Sequence, residues 1–417
     1  MSKFREVLKN RSFFFLWIGQ IISQLGDRLG QMALIGFIPF DAPGSGLQLA
    51  KLLSFTILPV FLIGPVAGVY VDRWDRRRTM YISDFMRTVL TLFIPLFLFS
   101  GKSLGLIYLL VFAIFSIGRF FVPAKLSIIP EIVKKEELLI GNSLVNITGM
   151  IATIAGFGIG GLIVEYLGAK GGFYLDALSF FISAAFIFFI SANKASEIKI
   201  SQVGREIVEV IRKSVIQEVK EGIIYFVKQK EVRFTGLIMF LLGAAGGSVY
   251  IVGIIFIRST LKTLTLDLGF LIMFLGIGLF LGSLIYGRFG QRLSHYKIIF
   301  FSLVLSGIML VVFALTIQRY PYFLIAAALS FALGFLIAPI IIASNTIVHK
   351  ASDNAMMGKT FSSLEIAMHL GFLLFMFVSS GLAEKFSPAL ALVIIGVIFS
   401  IVGLINLICQ RKISWLN

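Results

Sequence analysis

Gly64-Pro65-Val66-Ala67-Gly68-Val69-Tyr70-Val71-Asp72-Arg73-Trp74-Asp75-Arg76-Arg77-Arg78 is the stretch on which the reading of the fold turns. Small and apolar side chains run into an aspartate and then into a cluster of arginines. An apolar helix that ends this way is leaving a bilayer, because hydrocarbon excludes the charges and an anionic leaflet surface holds them. Composition extends that reading to the whole chain. Of 417 residues, 58% are apolar and 14% charged, and the mean hydropathy is +0.98; a soluble domain is typically ~45–50% apolar and ~25% charged. The 43 phenylalanines and 40 glycines cannot all be hidden in a water-soluble core. Neither an ordinary soluble enzyme nor a disordered binding region fits.

A spanning helix needs about 20 largely apolar residues. Charge clusters and Pro, Gly, Asp and Ser turns divide the chain into twelve such stretches, roughly 12–40, 49–71, 79–100, 104–123, 139–167 and 171–192, then 233–257, 266–287, 297–317, 320–346, 358–383 and 387–409. The long polar stretch 193–232 separates two sets of six. The expected domains are therefore a six-helix bundle over 1–192, a linker over 193–232 and a second bundle over 233–417. The basic start, Met1 to Arg11, leads into an apolar stretch too long for a cleavable signal and without a small-residue cleavage pattern, so the first helix is read as retained.

Lysine and arginine set the orientation. With both termini cytoplasmic, 27 of the 37 cations fall in inner loops and 7 in outer ones, leaving Arg28, Arg87 and Arg119 in or near spans. This is the bias of a multi-pass inner-membrane protein. The formal charge of +16 thus marks a membrane face and does not imply a nucleic-acid partner. In the linker, Ile207, Ile211, Val215, Val219 and Phe226 recur near helical spacing among Arg212, Lys213, Lys220 and Lys228. That pattern suits an amphipathic helix on the anionic inner leaflet, and equally a solvated tether.

The two sets of six resemble one another. Pro123, Ile132-Val133-Lys134-Lys135 and Gly141 are echoed by Pro339, Ile347-Val348-His349-Lys350 and Gly358. The helices that follow end alike, in Gly161-Leu162-Ile163-Val164-Glu165 and Gly381-Leu382-Ala383-Glu384. This suggests two parallel repeats about an axis normal to the membrane.

The Gly64–Arg78 stretch resembles the signature G-x-L-x-D-R-x-G-R-R of the major facilitator superfamily, with Tyr70 in place of the leucine and Asp75 in place of the second glycine. Its D-R-x-D-R-R-R form is similar to the branch of macrolide-efflux and enterobactin-exporter-type proteins, as are Phe121-Val122-Pro123-Ala124-Lys125 and Pro130-Glu131-Ile132-Val133. Gly282-Ser283-Leu284-Ile285-Tyr286-Gly287-Arg288-Phe289-Gly290-Gln291-Arg292 is a worn second copy, with Gly287 where the aspartate stood. The resemblance implies an all-α integral membrane fold of twelve transmembrane helices in two pseudo-symmetric six-helix bundles. It also implies a cytoplasmic gate made of Gly68, Asp72, Arg73, Arg76 and Arg77, helped by Asp84 and Arg87 at the start of the third span. Two departures stand out. Where drug antiporters of the family carry G-P-x-x-G-G, this chain has Gly156-Phe157-Gly158-Ile159-Gly160-Gly161, so Gly156, Gly160 and Gly161 are kept for helix packing and the proline is lost. Arg119 lies only four residues before Pro123, nearer the cytoplasmic end than the family's span-four arginine.

Ionisable groups inside a membrane are costly and invite functional readings. Asp27 lies mid-way along the first span, with Gln20, Gln24 and Gln31 at helical spacings that share a polar face. It is read as a proton-coupling carboxylate, against a static partner of Arg28 or Arg87. The segment also resembles the first-span Gly-Asp of lysophospholipid transporters. Glu365 and His369, an i, i+4 pair, are read as a second coupling or substrate site, or a structural hydrogen bond. Gln24, Arg28, Gln31 and Arg119 are placed in a substrate cavity, and Phe37, Phe55 and Phe240 are possible lining. Glu165, Asp176 and Glu384 are placed near the outer surface. No metal or cofactor is expected: His295, His349 and His369 are scattered, Cys409 is the single cysteine, and the Gly101-Lys102-Ser103 and Gly358-Lys359-Thr360 runs lack the glycine of a phosphate loop. The expectation is a monomeric secondary transporter, not an enzyme. It would export amphipathic or hydrophobic small molecules by rocker-switch alternating access, with proton coupling. A lipid flippase and a non-transporting receptor are the alternatives.

Overall fold

The computed structural model describes residues 2–38, 45–71, 74–99, 104–191, 229–261, 265–290, 294–351 and 357–409. Among these residues every regular element is helical: α1 Ser2–Lys9, α2 Arg11–Phe37, α3 Ser45–Leu62, α4 Gly64–Val71, α5 Arg76–Phe99, α6 Leu104–Ile132, α7 Leu138–Phe188, α8 Lys230–Leu261, α9 Thr265–Phe289, α10 His295–Arg319, α11 Phe323–Ala351, α12 Met357–Lys385 and α13 Pro388–Cys409. The linker helix expected over 205–230, Asp72 and Arg73 lie outside the described residues, apart from the linker's last residues.

Among the described residues, ten helical stretches are long and apolar enough to cross a membrane. One of them, α7, has 51 residues, which at ~1.5 Å per residue is more than twice a ~30 Å hydrocarbon core. It turns at Gly168, whose φ of 69° lies in the left-handed region that favours glycine. Its first segment runs parallel to α2, with Gly149 beside Gln20 and Gln24 and Gly160 beside Leu29. Its second runs antiparallel, with Gly172 beside Ala33 and Ser183 beside Gly19. α7 is therefore two spans. α3 and α4 form one passage, broken at Ile63, because Pro65 has no N–H to offer the preceding turn. α2 is missing from the apolar ten, since Gln20, Gln24, Asp27, Arg28 and Gln31 dilute its apolar face. It completes a fold of twelve spans.

The chain divides into two compact units, one of Met1–Phe37 and Leu52–Val215, the other of Ile38–Lys51 and Ile216–Asn417. In the first, α2 packs on α7, α5 on α6 and α7, and α4 on α6. In the second, α8 packs on α12, α10 on α11 and α13, and α9 on α11. Taking spans in order, the helix pairs are the same in both units, which is what an internal repeat requires. One end of the first unit is closed by an apolar cluster of Val7, Phe13, Leu16, Met80, Phe121, Ile128, Val145 and Ile187 with their neighbours. There Asn10 caps α2, its Oδ1 accepting the N–H groups of Ser12 and Phe13 at 3.1 and 3.2 Å.

Lipid tails are as apolar as leucine, so helices in a bilayer associate through close contact and not through exclusion of water. Exposed side chains such as Leu109, Leu324 and Ile408 face outward without penalty. Glycines bring backbones together inside. Between α10 and α13, a Cβ on Gly307 would lie 2.5 Å from the Gly396 carbonyl oxygen, and one on Gly396 would lie 2.6 Å from that of Gly307. The Gly307→Ala variant is expected to lose about 1–3 kcal/mol through overpacking, read as a fall of several degrees in the thermal unfolding midpoint of the detergent-solubilised protein. Gly381→Ala, at a position with open space around it, should leave that midpoint unchanged.

Candidate functional site

At the end of α4 the chain turns and α5 begins. Asp75 accepts the Arg78 backbone N–H at 2.8 Å, a helix N-cap that accounts locally for an aspartate at a position where the family signature has glycine. Arg76 pairs with Glu131 of α6, the Arg77 guanidinium sits 5.6 Å from the Phe188 ring centroid, and Trp74 stacks on Phe120 at 5.9 Å. These arginines thus tie α5 to α6 and α7. Gly68 lies within α4.

Deeper in the same unit lies an ionic cluster. Asp84 and Arg87 are ~12 and ~16 Å along α5 from Arg76 at the helical rise, well past the helix start where sequence reading placed them. Asp84 is 0% and Arg87 6% exposed. Arg87 donates to Asp27 of α2 and, at 3.4 Å, to Asp84 Oδ1. The second Asp84 oxygen accepts from Ser183 Oγ of α7 at 2.6 Å. The face of the guanidinium rests on Phe180, 3.8 Å from the ring centroid. Arg87 therefore bridges two carboxylates on two helices.

The largest correction concerns Asp176. Sequence reading put it near the outer surface, but it is 6% exposed. The α7 helix resumes directly after Gly168, so Asp176 is ~12 Å further along. It lies against the glycine face of α2, where a Cβ on Gly30 would collide with its carboxylate and one on Gly26 with Ser179. Two glycines flanking Asp27 at i, i+4 spacing were the available signal of a close helix approach. Asp176 Oδ1 and the fully buried Thr91 Oγ1 have no hydrogen-bond partner among the described residues. Both residues line a cavity of about 20 Å³ together with Asp27, Gly30, Gln31, Phe115, Phe173, Phe180 and aliphatic neighbours. That is room for one water-sized occupant.

The other expected site residues are placed as follows. Gln31 lines this cavity and accepts from Arg28 Nη1 at 2.9 Å. Arg28 also lies 5.3 Å from the Phe157 ring centroid, so the residue standing for the family's proline packs on a cation. Gln24 lies beside Gly149, and Arg119 is half-buried on α6; neither is among the cavity's lining residues. Gly156 and Gly160 approach Arg28 and Leu29, at 3.0 and 3.1 Å from where their Cβ atoms would be, and Gly161 is buried on the same segment. In the second unit, His369 Nδ1 donates to the Glu365 backbone carbonyl at 2.8 Å and not to its carboxylate, and Glu365 is exposed. Glu165 is exposed, and Glu384, also exposed, accepts the Leu47 backbone N–H at 3.3 Å. Phe55 stacks on Tyr108 at 5.2 Å and Phe240 meets Phe375 at 6.2 Å; the rings at the cavity are Phe115, Phe173 and Phe180. Among the described residues no group of three His, Cys, Asp or Glu side chains is arranged to hold a metal ion.

A family model described as transmembrane secretion effector matches residues 4–413. The uncharacterized MFS-type transporter YkuC of Bacillus subtilis strain 168 is 30% identical over 177 residues, 42% of this chain and 40% of that protein. Macrolide efflux protein A of Streptococcus pyogenes is 33% identical over 129 residues, 30% of this chain and 31% of that one. The multidrug efflux pump Tap of Mycobacterium bovis is 25% identical over 175 residues, covering 40% and 41%. The matches span about two fifths of the length of the first of these curated relatives. Among solved structures, a POT family transporter in complex with a thioalcohol-conjugated peptide superposes with a TM-score of 0.73 at 13% identity, over 97% of both chains. The nucleoside transporter NupG gives 0.71 at 12% identity, over 96% of this chain and 98% of that one. At these identities the likeness is one of fold.

Removing Arg87 leaves Asp27 and Asp84 without a counter-charge, and breaking a buried pair from one side costs about 3–5 kcal/mol. Arg87→Ala is expected to lower the unfolding midpoint sharply. Adding Asp27→Asn and Asp84→Asn to it should recover part of the loss. A triple variant no more stable than Arg87→Ala would show that the pairing does not hold α2 to α5.

Proposed function

The chain belongs to the transmembrane secretion effector family of the major facilitator superfamily, and from that premise we propose that it is a proton-coupled exporter of amphipathic or hydrophobic small molecules. The protein is a multi-pass membrane transporter by fold and family, and its relatives include proteins named for macrolide and multidrug efflux. The observation that carries the finer reading is the Asp27–Arg87–Asp84 cluster. Charges at this depth are costly, so secondary transporters keep them where a coupling ion or substrate is handled.

In this reading Asp27 is the coupling carboxylate, and its pairing with Arg87 is made and broken as the two six-helix bundles, 1–192 and 233–417, alternate access by a rocker-switch. The 193–232 linker rides on the anionic inner leaflet, and Gly68, Asp72, Arg73, Arg76 and Arg77 latch the cytoplasmic side. The protein works as a monomer in the inner membrane with both termini in the cytoplasm. Its ligands are a small-molecule or lipid substrate and a proton, with no nucleic acid and no cofactor. Gln24, Gln31, Arg28 and Arg119 contact substrate when the cavity opens, and Glu365 and His369 serve the second bundle.

The test is transport in proteoliposomes loaded with amphipathic dyes, macrolides or fluorescent lysophospholipids, under an imposed pH gradient. The expected result is gradient-driven movement of a dye or macrolide that falls at least ~10-fold in Asp27→Asn, a loss of ~1.4 kcal/mol or more. An Asp27→Asn protein that transports and couples like the parent removes Asp27 from the mechanism. Movement of lysophospholipid alone would make the protein a lipid flippase.

A further inference from the structure

The pairing of Asp27 with Arg87 leaves a different carboxylate unsatisfied. Asp176 is 94% buried, as its 6% exposure implies, forms no ion pair among the described residues, and has an oxygen without a donor. The charged groups around it are Asp27 from α2 and Arg87 and Asp84 from α5; from α6, Lys125 lies within electrostatic reach of Asp27. Arg28 donates to Gln31 beside the same cavity, and none of these three cations forms an ion pair with Asp176. Arg87 is already shared between Asp27 and Asp84 under the Phe180 ring. An uncompensated carboxylate in a low-dielectric interior is too costly to persist.

The surroundings of Asp176 describe what would neutralise it. The adjoining cavity holds one water-sized occupant, too small in this state for an amphipathic solute. Thr91 Oγ1, fully buried and unpartnered, lines the same space, as do Gln31 and the half-buried Asp27. All four residues offer oxygen. An anion would meet two carboxylates there.

We infer that Asp176 and Thr91, with Asp27 and Gln31 beside them, form a binding site for one monovalent cation, a proton held on the Asp176 carboxylate beside a water or a sodium-sized ion. The inference deepens the coupled-transport reading and rests on it for its meaning: an ion held at Asp176 keeps Arg87 with Asp27, the coupling carboxylate, and its loss releases that pairing. Both ions bring the same single charge to the same oxygens, and they differ in which solution variable fills the site. Entry of the ion gives Asp176 the partner it lacks. Its departure leaves Asp176 to compete with Asp27 for Arg87, which gives the first unit two arrangements of one network.

The experiment is thermal unfolding of the purified full chain in detergent, from about pH 5 to pH 9, in sodium chloride and in choline chloride at equal ionic strength. A ligand bound only by the native state raises its midpoint. Wild type and a control at the exposed Glu165, Glu165→Gln, should show a midpoint that rises by several degrees with sodium if the ion is sodium, or with acidity in either salt if it is a proton. Asp176→Asn carries no charge to neutralise and should lose that dependence. Should Asp176→Asn not fold, Thr91→Val decides: removing one oxygen should raise the sodium or proton concentration at half-effect by at least ~3-fold, about 0.7 kcal/mol of affinity. A wild type indifferent to both ions, an Asp176→Asn protein that keeps the full dependence, or an unchanged half-effect in Thr91→Val overturns the inference. No substrate enters this measurement, so a protein that binds the cation and moves no solute would overturn the exporter reading and leave the ion site standing.

Discussion

One guanidinium organises the first unit. Arg87 is inserted among apolar helices where neither water nor lipid can solvate its charge, so the structure must supply its counter-ions itself. It does so from three directions: Asp27 on α2, Asp84 one turn back on α5, and the ring of Phe180 on α7. Asp27 and Phe180 each fix another helix against α5. Ser183 holds the far oxygen of Asp84 and so secures α7 a second time. Bringing the polar groups together has a steric condition, since α7 reaches Arg87 only by lying close along α2. Glycines at positions 26 and 30 are what permit that approach, and the polar network and the small-residue packing are therefore one constraint.

The second unit meets the same demand for close packing without a comparable charge cluster among the described residues. Its helix pairs repeat those of the first unit, and contacts such as Gly307 against Gly396 do the holding. The repeat has thus kept its packing while the two units have diverged in polarity. The aspartate of the Gly64–Arg78 stretch has become Gly287 in the second copy, and the buried carboxylates lie in the first unit.

Some of the site could be read from residue order. Asp27 stood out because a carboxylate mid-way along an apolar span, on a face with Gln20, Gln24 and Gln31, is anomalous in any window of the chain. Its partner did not stand out, since Arg87 is 60 residues away and Arg28 is adjacent. Asp84 and Arg87 were misjudged because helix depth was measured from a loop boundary. Asp176 was misjudged for a related reason: Gly168 ends one span and begins the next with no polar loop between, so the position of Asp176 below the surface depended on the exact place of the turn. The i, i+4 spacing of Glu365 and His369 was legible, but the imidazole satisfied itself on a backbone carbonyl of its own helix. A local acceptor at fixed helical geometry outcompetes a flexible side chain.

What the sequence by itself determined was the solvent, the number of spans, the repeat and the family. All four follow from local composition, because hydrophobic length, charge clusters and glycine spacing act within a few turns of the chain. What only the tertiary structure decided was which charges meet. Coulombic pairing in a low-dielectric interior depends on distance through space, and helices far apart in the sequence set that distance by how closely their backbones pack. That is why Asp27 found Arg87, and why Asp176, unremarkable in the sequence, became the carboxylate left without a partner.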